Sequence, residues 1–196
     1  MKAHPRAPHW YLLGAVVAAY GNAFRGVFQF DDYNVIVNNP LVHTWPAFYS
    51  SVAHGIRPFL KFTYTANWTS GLGLFGFHLL NVAIHAANTL LVYSLGRRFA
   101  QCREDSRASS LLTAPVLAAL LFALHPIQTE AVTYISGRSM CLMAFFYFGS
   151  LWAYNRGAGT GERIWLHVVS PGLFLLAVLT RETAVTLPLA ARVQSE

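Results

Sequence analysis

An all-α bundle of membrane-spanning helices is the fold class this sequence predicts, and three observations predict it. Of the 196 residues, 55% are hydrophobic and only 11% charged, with a mean hydropathy of +0.40, a balance poorly matched to a soluble domain of this length. The apolar residues gather into the segments 10–24, 74–95, 111–124, 139–154 and 164–179. Each approaches the roughly 20 residues that cross a hydrocarbon core of about 30 Å. The basic residues lie in the short connections between those segments. A sixth helix is expected to begin near Thr183, giving one membrane domain over residues 1–196 with five to six transmembrane helices and a large outer loop between the first two.

The net charge of +6 does not point to nucleic acid, because the cations are scattered between apolar segments instead of sharing a face. Topology explains them. With the N-terminus inside, Lys2, Arg6, Arg97, Arg98, Arg103, Arg107, Arg156 and Arg163 fall on the cytoplasmic side, and Arg25, Arg57, Lys61, Arg138 and Arg181 outside. That excess has the sense the positive-inside rule requires. The acids Asp31, Asp32, Glu130 and Glu182 then share the outer side.

Taken in order, the first helix follows Lys2 and Arg6. A cleavable signal peptide is the rival reading, disfavoured by the length of the apolar run and by Tyr20, Asn22 and Arg25 at its end. Asp31 and Asp32 come next, at the membrane edge. An ionisable pair there is costly and by default marks a functional site, although Asp-Asp-Tyr-Asn also suits a plain turn or helix cap. The outer loop, residues 28–72, reads as a turn at Asn38-Asn-Pro40 and as helix starts at Trp45-Pro46 and Arg57-Pro58. Phe59, Phe62, Tyr64 and Trp68 are the aromatics of a segment lying along the interface. Asn67-Trp-Thr69 has the form of a glycosylation sequon.

The second helix places His78, Asn81, His85 and Asn88 on one stripe by their spacing of three, four and three residues. That stripe faces protein, where interhelical hydrogen bonds contribute about 0.6 kcal/mol each; His78 lies nearest the outer surface. Pro126 ends the third helix after His125 and leaves Glu130 and Arg138 in an outer loop. The fourth helix reads as packing only. Asn155-Arg-Gly-Ala-Gly-Thr-Gly-Glu-Arg163 resembles a phosphate loop superficially, but it follows a helix and lacks a Gly-Lys-Ser/Thr ending, so a flexible cytoplasmic turn is expected. The fifth helix runs out to Arg181 and Glu182, for which a snorkelling pair is the plainer reading. Cys102 and Cys141 sit at different depths, so no disulfide is expected. His78 and His85 are about 10 Å apart along a helix, too far for one metal ion.

Four segments thus deliver charged or imidazole groups to one outer plane. A carboxylate, Asp31 or Asp32, can take a proton from a hydroxyl, and close carboxylates titrate as a pair. Arg181, Arg57 and Arg138 can receive an anionic leaving group, with His125 a proton donor. Glu130 either holds a cation or pairs with Arg138.

The order of motifs Phe30-Asp-Asp-Tyr-Asn-Val-Ile-Val-Asn-Asn-Pro-Leu41, Arg57-Pro58, Gly76-Phe-His-Leu-Leu-Asn81, His125-Pro-Ile-Gln-Thr-Glu-Ala-Val-Thr-Tyr-Ile-Ser-Gly-Arg138 and Arg181-Glu-Thr-Ala-Val-Thr-Leu-Pro188 resembles a known family. It looks like the amino-terminal membrane half of the transmembrane and tetratricopeptide-repeat-containing proteins, of the GT-C glycosyltransferase superfamily and related to the protein O-mannosyltransferases. The resemblance implies a GT-C helix bundle whose first outer loop supplies a catalytic acid. It implies a polyprenyl-phosphate-linked sugar donor, often mannose, and a protein Ser or Thr hydroxyl as acceptor, with no nucleic acid partner. By position Asp31 is the catalytic carboxylate and Asp32 its neighbour. Arg181 lies where relatives keep a basic residue near the lipid phosphate. Lysine is commoner there, and arginine suits a phosphate at least as well. No cofactor is implied for certain, since some relatives use a divalent cation and others none. The resemblance places the active side in the periplasm or the endoplasmic-reticulum lumen. Such proteins continue into more helices and a repeat domain, so the sequence reads as a fragment. The competing classes are a non-catalytic scaffold and a transporter with an outward-facing polar cavity.

Overall fold

The computed structural model describes residues 8–52, 56–102 and 113–187, and these are helical with no strand among them. The elements are α1 (His9–Tyr20), α2 (Trp45–Val52), α3 (Pro58–Thr69), α4 (Gly73–Cys102), α5 (Ala114–Leu124), α6 (Gln128–Thr133), α7 (Arg138–Thr160) and α8 (Ser170–Thr180). Short 3₁₀ or π-helical turns join them. Lys2, Arg6, Arg103, Arg107, Arg192 and the end of the Arg181–Pro188 motif lie outside the described residues.

The centre is α4, 30 residues with no proline to interrupt them and hence about 45 Å long. Its stretch Gly73–Ala100 is the one helix among the described residues long and apolar enough to cross a membrane. Two other apolar helices, Ala114–Leu124 and Trp165–Thr180, are shorter. The structure is therefore all-helical with one membrane-length helix, a coarser result than the five to six spans expected. Near Thr183 the chain forms a 3₁₀ turn, Glu182–Thr186.

Around α4 pack α1, α5 and α7, with α8 against α7. The polar stripe of α4 faces inward as its spacing requires: His78, Asn81 and His85 are fully buried and Asn88 nearly so. Asn81 Nδ2 donates to the carbonyls of Val132, Tyr134 and Ile135, at 3.3, 3.2 and 3.3 Å. His85 Nε2 meets Ala123 O at 3.2 Å, and Asn88 Nδ2 donates to Cys141 O at 2.9 Å. These bonds answer carbonyls where α5 ends and in the turn between α6 and α7, groups a buried chain cannot leave to water. The apolar remainder of the core joins Val16 and Tyr20 of α1, Ile36 and Val42 of the outer loop, and Leu142 and Phe146 of α7.

The outer loop is folded, not extended. Trp45 and Pro58 begin helices as read from the sequence. Asn39 caps the turn at Pro40 by accepting from Leu41 N. His43 stacks on Trp68 with ring centroids 3.8 Å apart, and its Nε2 meets Ile36 O at 2.8 Å. The expected interfacial segment, α3, turns Leu60, Thr63, Tyr64, Thr65 and Asn67 inward. Burial pushes the Tyr64 phenol above its ordinary pKa range. Asn67 is buried and its Nδ2 donates to Gly76 O at 3.1 Å, so the sequon is spent on packing.

The expected flexible turn at 155–163 is corrected, because α7 runs on to Thr160 and is capped by Gly161 at φ 73°. Gly157 explains it: a Cβ there would stand 2.7 Å from Leu166 Cγ and 2.9 Å from Leu166 N. Glycine lets the next segment lie flat on the helix, and Arg156 stacks over Trp165 at 4.8 Å. The π-helical turn Trp165–Val169 precedes Pro171, whose missing N–H and bulky ring disturb the helical ladder at that point.

Gly137 answers a similar demand between α6 and α7. A Cβ would lie 2.5 Å from Glu130 O and 2.9 Å from Tyr134 O, both backbone. Gly137→Ala is expected to cost about 1–3 kcal/mol by overpacking, read as a lowered unfolding midpoint. An unchanged midpoint would show that α6 yields without cost.

Candidate active site

Three parts of the chain meet at one end of the bundle: the turn after α1, the segment joining α6 to α7, and the residues after α8. The two adjacent aspartates differ at once. Asp32 is fully buried; its Oδ2 accepts from Gln29 N at 3.0 Å and its Oδ1 from Ser136 N at 2.8 Å. Both oxygens thus serve backbone donors that would otherwise be orphaned. Asp31 is exposed. Its backbone N–H donates to Tyr134 Oη at 2.8 Å, and among the described residues nothing bonds to its carboxylate. One aspartate anchors the turn and the other is presented by it, so Asp32 departs from the expectation of a reacting group.

The residue before them, Phe30, is 83% exposed with φ 42° and packs edge-on against Tyr134 at 6.4 Å between centroids. It and Arg57, with φ 57°, are the only non-glycine residues of positive φ among the described residues. Such conformations cost about 1–3 kcal/mol and gather at functional sites.

Arg138 also departs from expectation. It is fully buried, with Nε donating to Asn81 Oδ1 at 2.7 Å, Nη1 to Thr63 O and Oγ1 at 3.3 Å each, and Nη2 to Phe77 O at 3.0 Å. Its guanidinium lies 5.1 Å from the Tyr64 ring centroid and 5.3 Å from that of Phe77. These contacts join α3, α4 and α7. Arg138 is a strut of the site, not a ligand for an incoming anion, and it does not pair with the exposed Glu130.

Arg181 reaches the same region: its Nη1 donates to Ser139 Oγ at 3.2 Å, one residue beyond Arg138. Arg57 and Glu182 hold each other, with Nη2 at 3.0 Å from Oε2 and 3.2 Å from Oε1. They form the one ion pair among the described residues. His78 is buried beside the loop. Its ring lies against the backbone of Gly26, where an added Cβ would stand 2.9 Å from His78 Nε2. His125 and Glu130 are exposed, His125 Nδ1 accepting from Ile127 N at 3.2 Å, and neither hydrogen-bonds to Asp31 or Asp32. Tyr134 was not singled out from the sequence, although it lies inside the motif ending at Arg138. An aromatic hydroxyl in a polar outer segment was the available signal. No group of three or more His, Cys, Asp or Glu suited to a metal ion occurs among the described residues.

The carboxylate of Glu182 is held below its ordinary pKa by its own backbone N–H first and by Arg57 second. A depressed carboxylate contributes stability above its unfolded pKa and loses it as the pH falls through the folded value. The contact that ties Arg57 to the end of α8 is therefore expected to weaken only below the ordinary glutamate range of about 4.3. An acid titration of the unfolding midpoint checks this: Glu182→Gln should lower the midpoint slightly at neutral pH and flatten the acid limb, so that variant and wild type converge in acid. An identical acid limb in the variant would assign that loss elsewhere.

Fold and site together define an all-helical protein with a membrane-length helix and, at one end, an exposed carboxylate, Asp31, on a turn that Asp32 and Tyr134 fasten to the segment before α7. No family model matches the sequence, and no solved structure matches it. Curated relatives do. Protein O-mannosyl-transferase TMTC3 of Homo sapiens is 30% identical over 184 residues, 86% of this chain and 19% of the relative. Protein O-mannosyl-transferase TMTC1 of Homo sapiens is 32% identical over 201 residues, 89% of this chain and 22% of the relative. Protein O-mannosyl-transferase F38B6.6 of Caenorhabditis elegans is 30% identical over 198 residues, 91% of this chain and 26% of the relative. Over most of its length the chain is thus similar to these protein O-mannosyl-transferases, in agreement with the resemblance its motifs carry. It spans between 19% and 26% of the length of these relatives.

Proposed function

We propose that this chain carries the catalytic outer loop of a membrane glycosyltransferase, which moves a sugar, mannose by analogy with its relatives, from a polyprenyl phosphate to a protein Ser or Thr hydroxyl. In this reading the apolar segments form a multi-pass bundle of five to six spans, and the loop faces the periplasm or the endoplasmic-reticulum lumen. The acceptor oxygen attacks the anomeric carbon and forms the new glycosidic bond as the bond from that carbon to the phosphate oxygen breaks. Asp31 takes the hydroxyl proton, and the polyprenyl phosphate leaves with the bonding electrons. Arg181 meets that phosphate as a charge-assisted donor. Asp32, Tyr134 and Arg138 are positioning residues that fix the loop.

The observation that carries this reading is the split between the aspartates: a buried one fastened by two backbone N–H groups, and beside it an exposed one with an unengaged carboxylate. A turn needing only a cap has no use for the second. The names of the relatives support the transferase class, and the engagement of Asn81, His85 and Asn88 with backbone carbonyls argues against a polar path through the bundle. The test is binding of a short-chain polyprenyl-phosphate-mannose to the chain in lipid nanodiscs, wild type against Arg181→Ala. A charge-assisted hydrogen bond is worth about 1.5–3 kcal/mol, so the variant should bind roughly 10- to 100-fold more weakly. Equal binding by both proteins, or none by a folded wild type, would count against the donor site.

A further inference from the structure

At the other end of α4 the structure holds a cavity of about 220 Å³ lined by His9, Tyr93, Ser94, Arg97, Arg98 and Trp152. Arg97 stands 19 residues beyond His78, about 28 Å along the helix, so the two ends are separated by roughly one hydrocarbon thickness. The lining contains two guanidinium groups and an imidazole but no carboxylate. Among the described residues Arg97 has no hydrogen-bond partner, and it lies 5.8 Å over the Tyr93 ring, which His9 meets edge-on at 5.4 Å. Arg98 donates through Nη1 to Asn155 O, which commits one of its five donors. The nearby Glu162 is occupied, its Oε2 accepting from Trp165 Nε1 at 2.7 Å.

We propose that this cavity binds a phosphate ester, and that its source is the headgroup of an anionic phospholipid in the leaflet opposite the candidate active site. The chemistry is a positive pocket with free guanidinium donors and no carboxylate among the described residues that line it, the environment arginine offers to phosphate. The volume is below that of a pocket for a drug-sized molecule and suits a small polar group. Location selects the lipid: the exposed Trp10 and Tyr11 adjoin His9, as aromatics do where a bilayer meets water. Basic pockets between membrane helices hold lipid headgroups in this way. The inference is independent of the transferase reading and requires only that α4 crosses the bilayer.

The experiment compares unfolding midpoints and lipid retention by native mass spectrometry for the chain in nanodiscs of phosphatidylcholine alone and of phosphatidylcholine with phosphatidylglycerol. Inorganic phosphate added to the phosphatidylcholine discs forms a separate arm. Phosphatidylglycerol is expected to be retained and to raise the midpoint, with affinity at least fivefold lower in Arg97→Gln. Arg163→Gln, an equal loss of charge outside the cavity, should change neither. Stabilisation by inorganic phosphate alone would overturn the lipid source while keeping the phosphate site. No preference over phosphatidylcholine and no response to phosphate would overturn the site itself. So would equal weakening by Arg97→Gln and Arg163→Gln. Because Arg98 also supports α7, Arg97→Gln decides the result if an Arg98→Gln variant fails to fold.

Discussion

Arg138→Ala is expected to loosen the whole outer end of the bundle, lowering stability by about 3–5 kcal/mol. Hydrogen bonds to a charged group contribute about 1.5–3 kcal/mol each, and truncating so large a buried side chain leaves a cavity as well. The loss frees Asn81 Oδ1, Thr63 and the Phe77 carbonyl from a single planar group that now joins α3, α4 and α7. Since a domain has only about 5–15 kcal/mol in all, the apparent melting temperature in nanodiscs should fall sharply. Arg138→Lys should recover little of it, because one ammonium cannot replace a fork that donates in three directions. A variant as stable as wild type would remove Arg138 from its place as the strut of the site.

The second contrast separates the aspartates. Asp31→Asn is expected to leave the unfolding midpoint within about 0.5 kcal/mol of wild type, as surface changes do. It should reduce sugar transfer by the roughly 10²- to 10⁴-fold that a positioned general base contributes. Asp32→Ala should do the reverse first. It orphans the N–H groups of Gln29 and Ser136, each at about 1–3 kcal/mol, so stability falls and activity follows only because the loop is no longer held. Transfer assays paired with melting curves distinguish the two. Full activity in a folded Asp31→Asn protein would end the assignment of Asp31 as the base.

Helical arithmetic made the stripe on α4 legible, since polar residues three and four apart share a face whatever the surroundings. Proline positions likewise marked where α2 and α3 begin. Burial was harder to read where residues of one type stand close together. Asp31 and Asp32 are identical and adjacent, and what separates them in the fold includes the Ser136 N–H, 104 positions later. Arg138 and Arg181 both looked like outer cations, yet the acceptors that bury Arg138 come from α3 and α4 and carry no local signature. At Gly157 the composition suggested flexibility, while the contact with Leu166 demands closeness. Glycine content cannot tell those two needs apart.

The bonds that fasten the outer loop reach far along the chain: Asp31 to Tyr134 across 103 positions, Asp32 to Ser136 across 104, and Arg57 to Glu182 across 125. A ribosome adding 5–20 residues per second needs roughly 10 s to travel the last of these intervals. During that time the loop has been synthesised but lacks the groups that hold its turn and its strained Phe30. The carboxylates therefore leave the ribosome before the partners that order them exist. The order of synthesis, and not only the finished fold, decides when these contacts can first form.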